Sequence, residues 1–191
     1  MQLKKFAKFI YGFTDKAKSQ GDARFLRITD IDDNGCLKKE DAKYITLSDE
    51  SRKYAVCKGD LLMARTGATY GKTLYVPDDT PAVYASFLIK ICLDNSIMLN
   101  RFYWHFAQSY LYWNQASKLV SGGGQPQFNS GAIGQMLVPV PSLEEQHRIL
   151  SILDRFNAVR NDLTSGLSAE IEARRKQYEY YRDKLLNFKE L

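Results

Sequence analysis

Three cysteines and five prolines in 191 residues are few, and each scarcity excludes something. Cys36, Cys57 and Cys92 are odd in number, widely spaced and without any Cys-x-x-Cys pair, so the sequence offers neither a disulfide framework nor a thiolate zinc site. They read as buried or incidental thiols, which suits a reducing compartment. The two histidines, His105 and His147, stand alone inside helical patterns and read as structural side chains. No metal and no cofactor is expected. No apolar run approaches the roughly 18 residues that would span a bilayer. The opening MQLKKFAKFIYGF lacks an apolar core and a small-residue cleavage site. The expectation is a soluble, cytoplasmic protein.

Catalytic signatures are missing as well. No Asn or Asp is followed by two prolines and an aromatic, as methylation of a flipped base would use, and no glycine-rich turn suits a methyl-donor cofactor. No paired acids with a nearby Glu-x-Lys suggest a nuclease metal site, and no Ser or Cys nucleophile has a plausible histidine partner. The run from Gly67 to Thr73 has one residue too few between Gly67 and Gly71 for a phosphate-binding loop, and a strand pattern follows it where that loop needs a helix. Nucleotide hydrolysis is therefore not expected, and the chain reads as a non-enzyme.

What is present is a folded-protein composition, 45% hydrophobic and 13% aromatic, with a net charge of +5. Split at Pro141, residues 1–141 carry 18 Lys and Arg against 13 Asp and Glu, while residues 142–191 carry 9 against 9. All of the excess lies in the first part. A basic body with a neutral, charge-rich tail suggests that the body meets a polyanion and the tail meets protein.

The body reads as mixed α and β. Strand patterns cover Phe25 to Ile31, Leu61 to Ala64, Thr73 to Val76 and Ser86 to Leu93, separated by turn chemistry at Asp32 to Gly35, Lys58 to Asp60 and Pro77 to Asp79. A helix is expected from Asn100, as its cap, through Leu119, with Tyr103, Phe106, Ala107 and Tyr110 as a core stripe. A glycine-rich loop follows at Ser121 to Asn129, and Met136 to Val140 closes the body. From Ser142 onward apolar residues recur at three and four, from Ile149 to Phe188, with Thr164-Ser165-Gly166 interrupting them. The fold class expected is α+β: a mixed domain over 1–141, then a coiled-coil-forming helical arm over 142–191 with a break near 164–167.

Two segments offer binding chemistry. A hairpin tip bearing Arg65, Thr66, Thr69, Tyr70 and Lys72 presents a guanidinium for guanine, an ammonium for phosphate and hydroxyls for either. The loop with Ser121, Gln125, Gln127 and Asn129 puts amides, which pair bidentately with adenine, on a glycine-rich support. The plain alternative for both is an ordinary solvated turn. Lys16, Lys18, Arg27 and Lys118 are supporting candidates, Arg27 being equally readable as a strand residue paired with a carboxylate.

Four stretches, 25–35 (FLRITDIDDNG), 58–72 (KGDLLMARTGATYGK), 140–149 (VPSLEEQHRI) and 162–186 (DLTSGLSAEIEARRKQYEYYRDKLL), resemble the specificity subunits of type I restriction-modification systems in the right order along the chain. The resemblance implies a non-catalytic target-recognition domain that reads double-stranded DNA, and a conserved helical region. It also implies modification (methyltransferase) and restriction subunits as partners. Full-length members carry two recognition domains and two helical regions; this chain resembles half of one. A half subunit is expected to pair with a copy of itself through Ile171, Tyr178, Tyr181, Leu185 and Phe188, forming a homodimer. The alternatives are a protein-interaction adapter and the recognition fragment of a larger methyltransferase.

Overall fold

The computed structural model describes residues 1–121, 126–155, 170, 176 and 177. The chain divides into two compact units, Met1–Gln146 and His147–Leu191. In the second unit the described residues, 147–155 with 170, 176 and 177, are all helical. The expected helix break near 164–167 and the seam residues Ile171, Tyr178, Tyr181, Leu185 and Phe188 lie outside the described residues.

The first unit is built on two sheets. Strands β1 (Ala7–Tyr11), β4 (Leu61–Ala64), β5 (Thr73–Tyr75) and β7 (Leu88–Leu93) form an antiparallel sheet in the order β1-β7-β4-β5. Strands β2 (Ala23–Leu26), β3 (Tyr44–Ile45) and β6 (Ala82–Tyr84) form a smaller one in the order β3-β2-β6, with β2 and β6 parallel. The register places Met63 opposite Ile89 and Thr73, so that β4 is paired on both edges. All four of its residues are buried, which is why its sequence, Leu-Leu-Met-Ala, is a continuous apolar run with no polar alternation. One core cluster joins the sheets, with Leu26, Tyr84, Leu62, Ala64, Leu74 and Leu88 among its members. A second gathers Phe25, Ile45 and Val83 on the small sheet.

Helices α1 (Asn100–Ala107), α2 (Tyr110–Leu119) and α3 (Ser130–Gly134) complete the unit. The Trp104 ring lies 6.4 Å from that of Tyr75 on β5, and Tyr112 on α2 donates through its hydroxyl to the Gly71 carbonyl at 2.7 Å. Gly134 at the end of α3 backs onto the Phe9 ring of β1.

Several sequence expectations change. The strand expected over 25–31 ends at Leu26, because the Asp30 carboxylate accepts from the Arg27 backbone N–H at 2.7 Å and from its guanidinium, folding Ile28–Asp30 into a 3-10 turn. The single helix expected over 100–119 is two. The Ser109 hydroxyl donates to the Phe106 carbonyl at 2.6 Å and accepts from the Tyr112 N–H, closing one helix and capping the next. Tyr110, expected in the core stripe, opens α2 and is 80% exposed, while Tyr103, Phe106 and Ala107 are buried as expected. Asn100 does not cap α1; its amide donates to the Gly59 carbonyl at 2.9 Å. Strands β1, β3 and β6 are additions. The segment closing the body pairs with the amino terminus, Leu3 N–H donating to the Met136 carbonyl at 2.9 Å. Gln146 is buried and tied in place: its carbonyl oxygen accepts from the Leu99 N–H, and its amide nitrogen donates to the carbonyls of Ile97 and Pro141.

Candidate nucleic-acid interface

The order and direction of the strands in the larger sheet gather four side chains at one of its ends. Tyr11 ends β1, Phe87 precedes β7, Arg65 follows β4 and Lys72 precedes β5. At a strand spacing of about 4.8 Å these positions span a rim of roughly 14 Å, close to the width of a major groove.

Arg65 is the best-placed of them. Its Nε donates to the Ser86 carbonyl at 3.0 Å, and its guanidinium carbon lies 5.3 Å from the centre of the Tyr11 ring and 5.4 Å from that of Phe87. Both rings are well exposed, Tyr11 at 40% and Phe87 at 51%. Cation-π contact with two rings, together with the anchored Nε, holds the planar group in one orientation. The two terminal nitrogens have no hydrogen-bond partner among the described residues. The side chain is thus a preorganised fork. Tyr11 is itself braced: its hydroxyl accepts from the Ser130 N–H at 3.2 Å and lies 3.0 Å from the Ser130 hydroxyl.

The expected hairpin tip joins β4 to β5 through a 3-10 turn at Gly67–Thr69. Gly71 (φ +79°) sits in the left-handed region, where a side chain is strained, and a Cβ there would stand a tight 3.1 Å from the Trp113 ring. Thr66 is buried. Its hydroxyl accepts from the Gln127 amide at 2.9 Å and faces the Pro126 carbonyl, which in turn accepts from the Gly67 N–H. The Thr69 hydroxyl donates to the Thr66 carbonyl at 3.3 Å. Tyr70 packs its ring 6.2 Å from those of Trp113 and Phe128. Lys72 donates to the Asp33 carboxylate at 2.6 Å.

The glycine-rich loop meets the same tip. Phe128 N–H donates to the Arg65 carbonyl at 2.7 Å, and Ser121 accepts nothing from the tip but bonds the Gln127 carbonyl through both its N–H and its hydroxyl. Asn129 is exposed, yet its side-chain oxygen caps α3 by accepting from the Ala132 N–H at 3.0 Å. Gln125 lies outside the described residues.

The structure therefore brings Arg65, Thr66, Thr69, Tyr70, Lys72 and Gln127 together, with Ser121 and Asn129 beside them. Within the group, Thr66 and Gln127 bond each other. Arg27 binds the carboxylates of Asp30, at 2.9 Å, and Asp41, and the hydrogen bond to Asp30 above all raises the guanidinium's hold on its proton. The Lys18 amine donates to the Thr46 hydroxyl at 2.9 Å, and Lys16 and Lys118 are exposed. Tyr11, Phe87 and Asp33 are the residues that sequence reasoning missed. The only signal for Phe87 was its place at the start of an alternating strand, and for Asp33 its place in the Asp32 to Gly35 turn; Tyr11 carried none, since it reaches the rim through pairing between distant segments. The cavity of about 530 Å³ at the opposite end of β1, lined by Lys4, Lys5, Lys8 and Asp94, is remote from this rim.

Residues 1–173 match the family described as the type I restriction modification DNA specificity domain. A putative type I restriction enzyme specificity subunit of Haemophilus influenzae is 32% identical over 178 residues, covering 91% of this chain and 43% of the relative. The specificity subunit of the Escherichia coli type I restriction enzyme EcoR124I/EcoR124II is 47% identical over 68 residues, 36% of this chain and 17% of that one. Among solved structures, the S subunit of a type I restriction-modification system from M. genitalium matches with a TM-score of 0.59 at 16% identity, covering 97% of this chain and 44% of that one. A chain from a study of assembly and conformational transition in the type I R-M system matches with a TM-score of 0.67 at 18% identity, covering 93% and 42%. The chain spans less than half the length of each. With 173 of its 191 residues matched, it belongs to the type I restriction-modification DNA specificity family.

Proposed function

We propose that this chain is the non-catalytic specificity component of a type I restriction-modification complex, reading one half-site of double-stranded DNA with the rim of its larger sheet. The observation that carries the reading is Arg65. An arginine with one nitrogen anchored, its plane held between two exposed rings and both terminal nitrogens open is shaped for the paired acceptors O6 and N7 of guanine. Family membership and the excess of positive charge on residues 1–141 support it. The chemistry belongs to partners in the cytoplasm, the modification (methyltransferase) and restriction subunits, which the chain holds over its site without any cofactor or metal of its own.

In this reading two copies of the chain pair to read a two-part site. The apolar repeat through Ile171, Tyr178, Tyr181, Leu185 and Phe188 supplies the seam. A helix of about 21 residues runs roughly 31 Å at 1.5 Å per residue, close to one duplex turn of about 34 to 36 Å. An antiparallel pair of coiled-coil arms then sets two recognition domains about one turn apart, and two-fold symmetry of the homodimer imposes an inverted repeat on the DNA. Binding selection from random duplexes, with and without a modification subunit, tests both parts. An inverted repeat with a fixed spacer is expected. A single short half-site rejects the dimer, and no enrichment at all rejects DNA reading.

A further inference from the structure

Asp33 stands at the outer end of the rim, and its position is rigid. It sits in a turn where the Asp32 carboxylate accepts from the N–H groups of Asn34 at 2.9 Å and Cys36 at 2.7 Å, and where the Asp32 carbonyl accepts from the Gly35 N–H at 3.2 Å. Gly35 (φ +69°) fixes the turn against β5: a Cβ would stand 2.5 Å from the Thr73 carbonyl oxygen, and the Gly35 carbonyl accepts from the Trp104 indole at 3.0 Å. The Asp33 side chain itself does none of this holding. It is 93% exposed and bonds Lys72 alone, 2.6 Å away. That neighbour, by hydrogen bond and by charge, keeps the carboxyl below the usual carboxylate range.

An exposed acid beside a lysine is an odd thing to place on a surface that meets a polyanion, since it cancels a phosphate contact and repels the backbone. The oddity resolves if the acid has a donor to find in the groove. The geometry points to Asp33 and Lys72 acting together as a reader of one G·C base pair, Lys72 donating to guanine O6 or N7 and Asp33 accepting from the cytosine N4 amino group. This rests on the DNA-reading role proposed above. The two groups already touch in the free protein, as the guanine acceptors and the cytosine donor lie side by side on one groove edge, so the ion pair opens onto the base pair without either charge losing a partner. The reverse orientation, C·G, sets the carboxylate against guanine oxygen and the ammonium against an amino group, and is rejected by repulsion. An A·T pair sets the thymine O4 and methyl against Asp33, and the reverse, T·A, leaves Lys72 a single acceptor, O4, beside the thymine methyl in place of the two acceptors of guanine, so both are poorer fits.

The test is binding selection with the full chain, with and without a modification subunit, comparing the wild type with Asp33→Ala and Lys72→Ala. The wild type is expected to select a G·C pair in fixed orientation at one position. Both variants are expected to lose roughly 5- to 150-fold of the preference there, the range of one good base contact, and to keep the rest of the site. Asp33→Ala also frees Lys72 for phosphate, so its affinity for random duplex rises and its salt slope steepens by about 0.9. Unchanged thermal melting shows that the fold survives the loss of an exposed side chain. A wild-type site whose every position is retained by Asp33→Ala, or a responsive position that is A·T, overturns the pair reading while leaving DNA reading intact. A wild type that enriches no sequence overturns both.

Discussion

Arg65 joins an anchored side chain to terminal nitrogens that no described residue occupies. Lys16 and Lys118 are exposed, and Arg27 is committed to Asp30 and Asp41, whereas Arg65 is anchored and still open. Its charge alone is then a small part of its role. Arg65→Lys keeps the charge but removes the fork, the Nε bond to Ser86 and the stacking on Tyr11 and Phe87. Competition binding is expected to show a loss of about 1 to 3 kcal/mol on the selected site and almost none on random duplex. Equal losses on both would mean that Arg65 meets phosphate only. Arg65 was legible as a candidate because an arginine next to a glycine-bearing turn is a local feature. Its orientation was not, because Tyr11 and Ser86 come from distant parts of the chain.

At the scale of elements, α1 meets the hairpin through Trp104 on Tyr75 and α2 through Tyr112 on the Gly71 carbonyl, and the buried tyrosines of the two helices make the unit sensitive to alkali. Tyr103 and Tyr112 are fully buried, and Tyr112 holds the hairpin through the Gly71 carbonyl. Burial raises the ionisation of both well above its ordinary range and pushes Tyr84 up to about 12. The unfolded chain loses these protons near pH 10 and the folded chain does not, so the folded state binds more protons and stability falls as pH rises from 10. Each tyrosine contributes a slope of about 1.4 kcal/mol per pH unit. Urea unfolding at pH 8 and at pH 11 is expected to show this drop, and Tyr103→Phe to reduce it by one tyrosine's share. The Tyr103 hydroxyl has no protein partner among the described residues, so Tyr103→Phe is expected to cost little at pH 8. An undiminished alkaline drop in that variant would remove Tyr103 from the explanation. The strand and helix patterns of Leu61 to Ala64, Thr73 to Val76 and the first turns of α1 were legible from periodicity. The break at Ser109 and the early end of β2 at Leu26 were not, because a side-chain hydrogen bond ended each element while the apolar pattern ran on.

For the whole molecule the question is number. The chain matches 42% to 47% of the length of its solved neighbours, and the proposed pairing would bring two copies of the recognition surface to one site. Light scattering at micromolar concentration is expected to give a homodimer, and Tyr181→Asp, which puts a charge into the proposed seam, a monomer. In the same variant the selected inverted repeat is expected to collapse to one half-site with weaker binding. A wild-type monomer, or a dimer indifferent to Tyr181→Asp, would move the interface elsewhere.

The sequence by itself determined the composition of the parts: a basic apolar body, a neutral tail with a three-and-four repeat, a turn at Gly67 to Gly71 that no nucleotide loop fits, and family motifs in order. These are properties of residues close together in the chain, and periodicity and composition record them directly. Which side chains share a surface was decided only by the tertiary structure. The order β1-β7-β4-β5 sets Tyr11, Phe87, Arg65 and Lys72 in a row, and packing of the 32–36 turn on Trp104 adds Asp33 at its end. Strand order arises from pairing and burial summed over many distant contacts, which no local stretch of sequence contains.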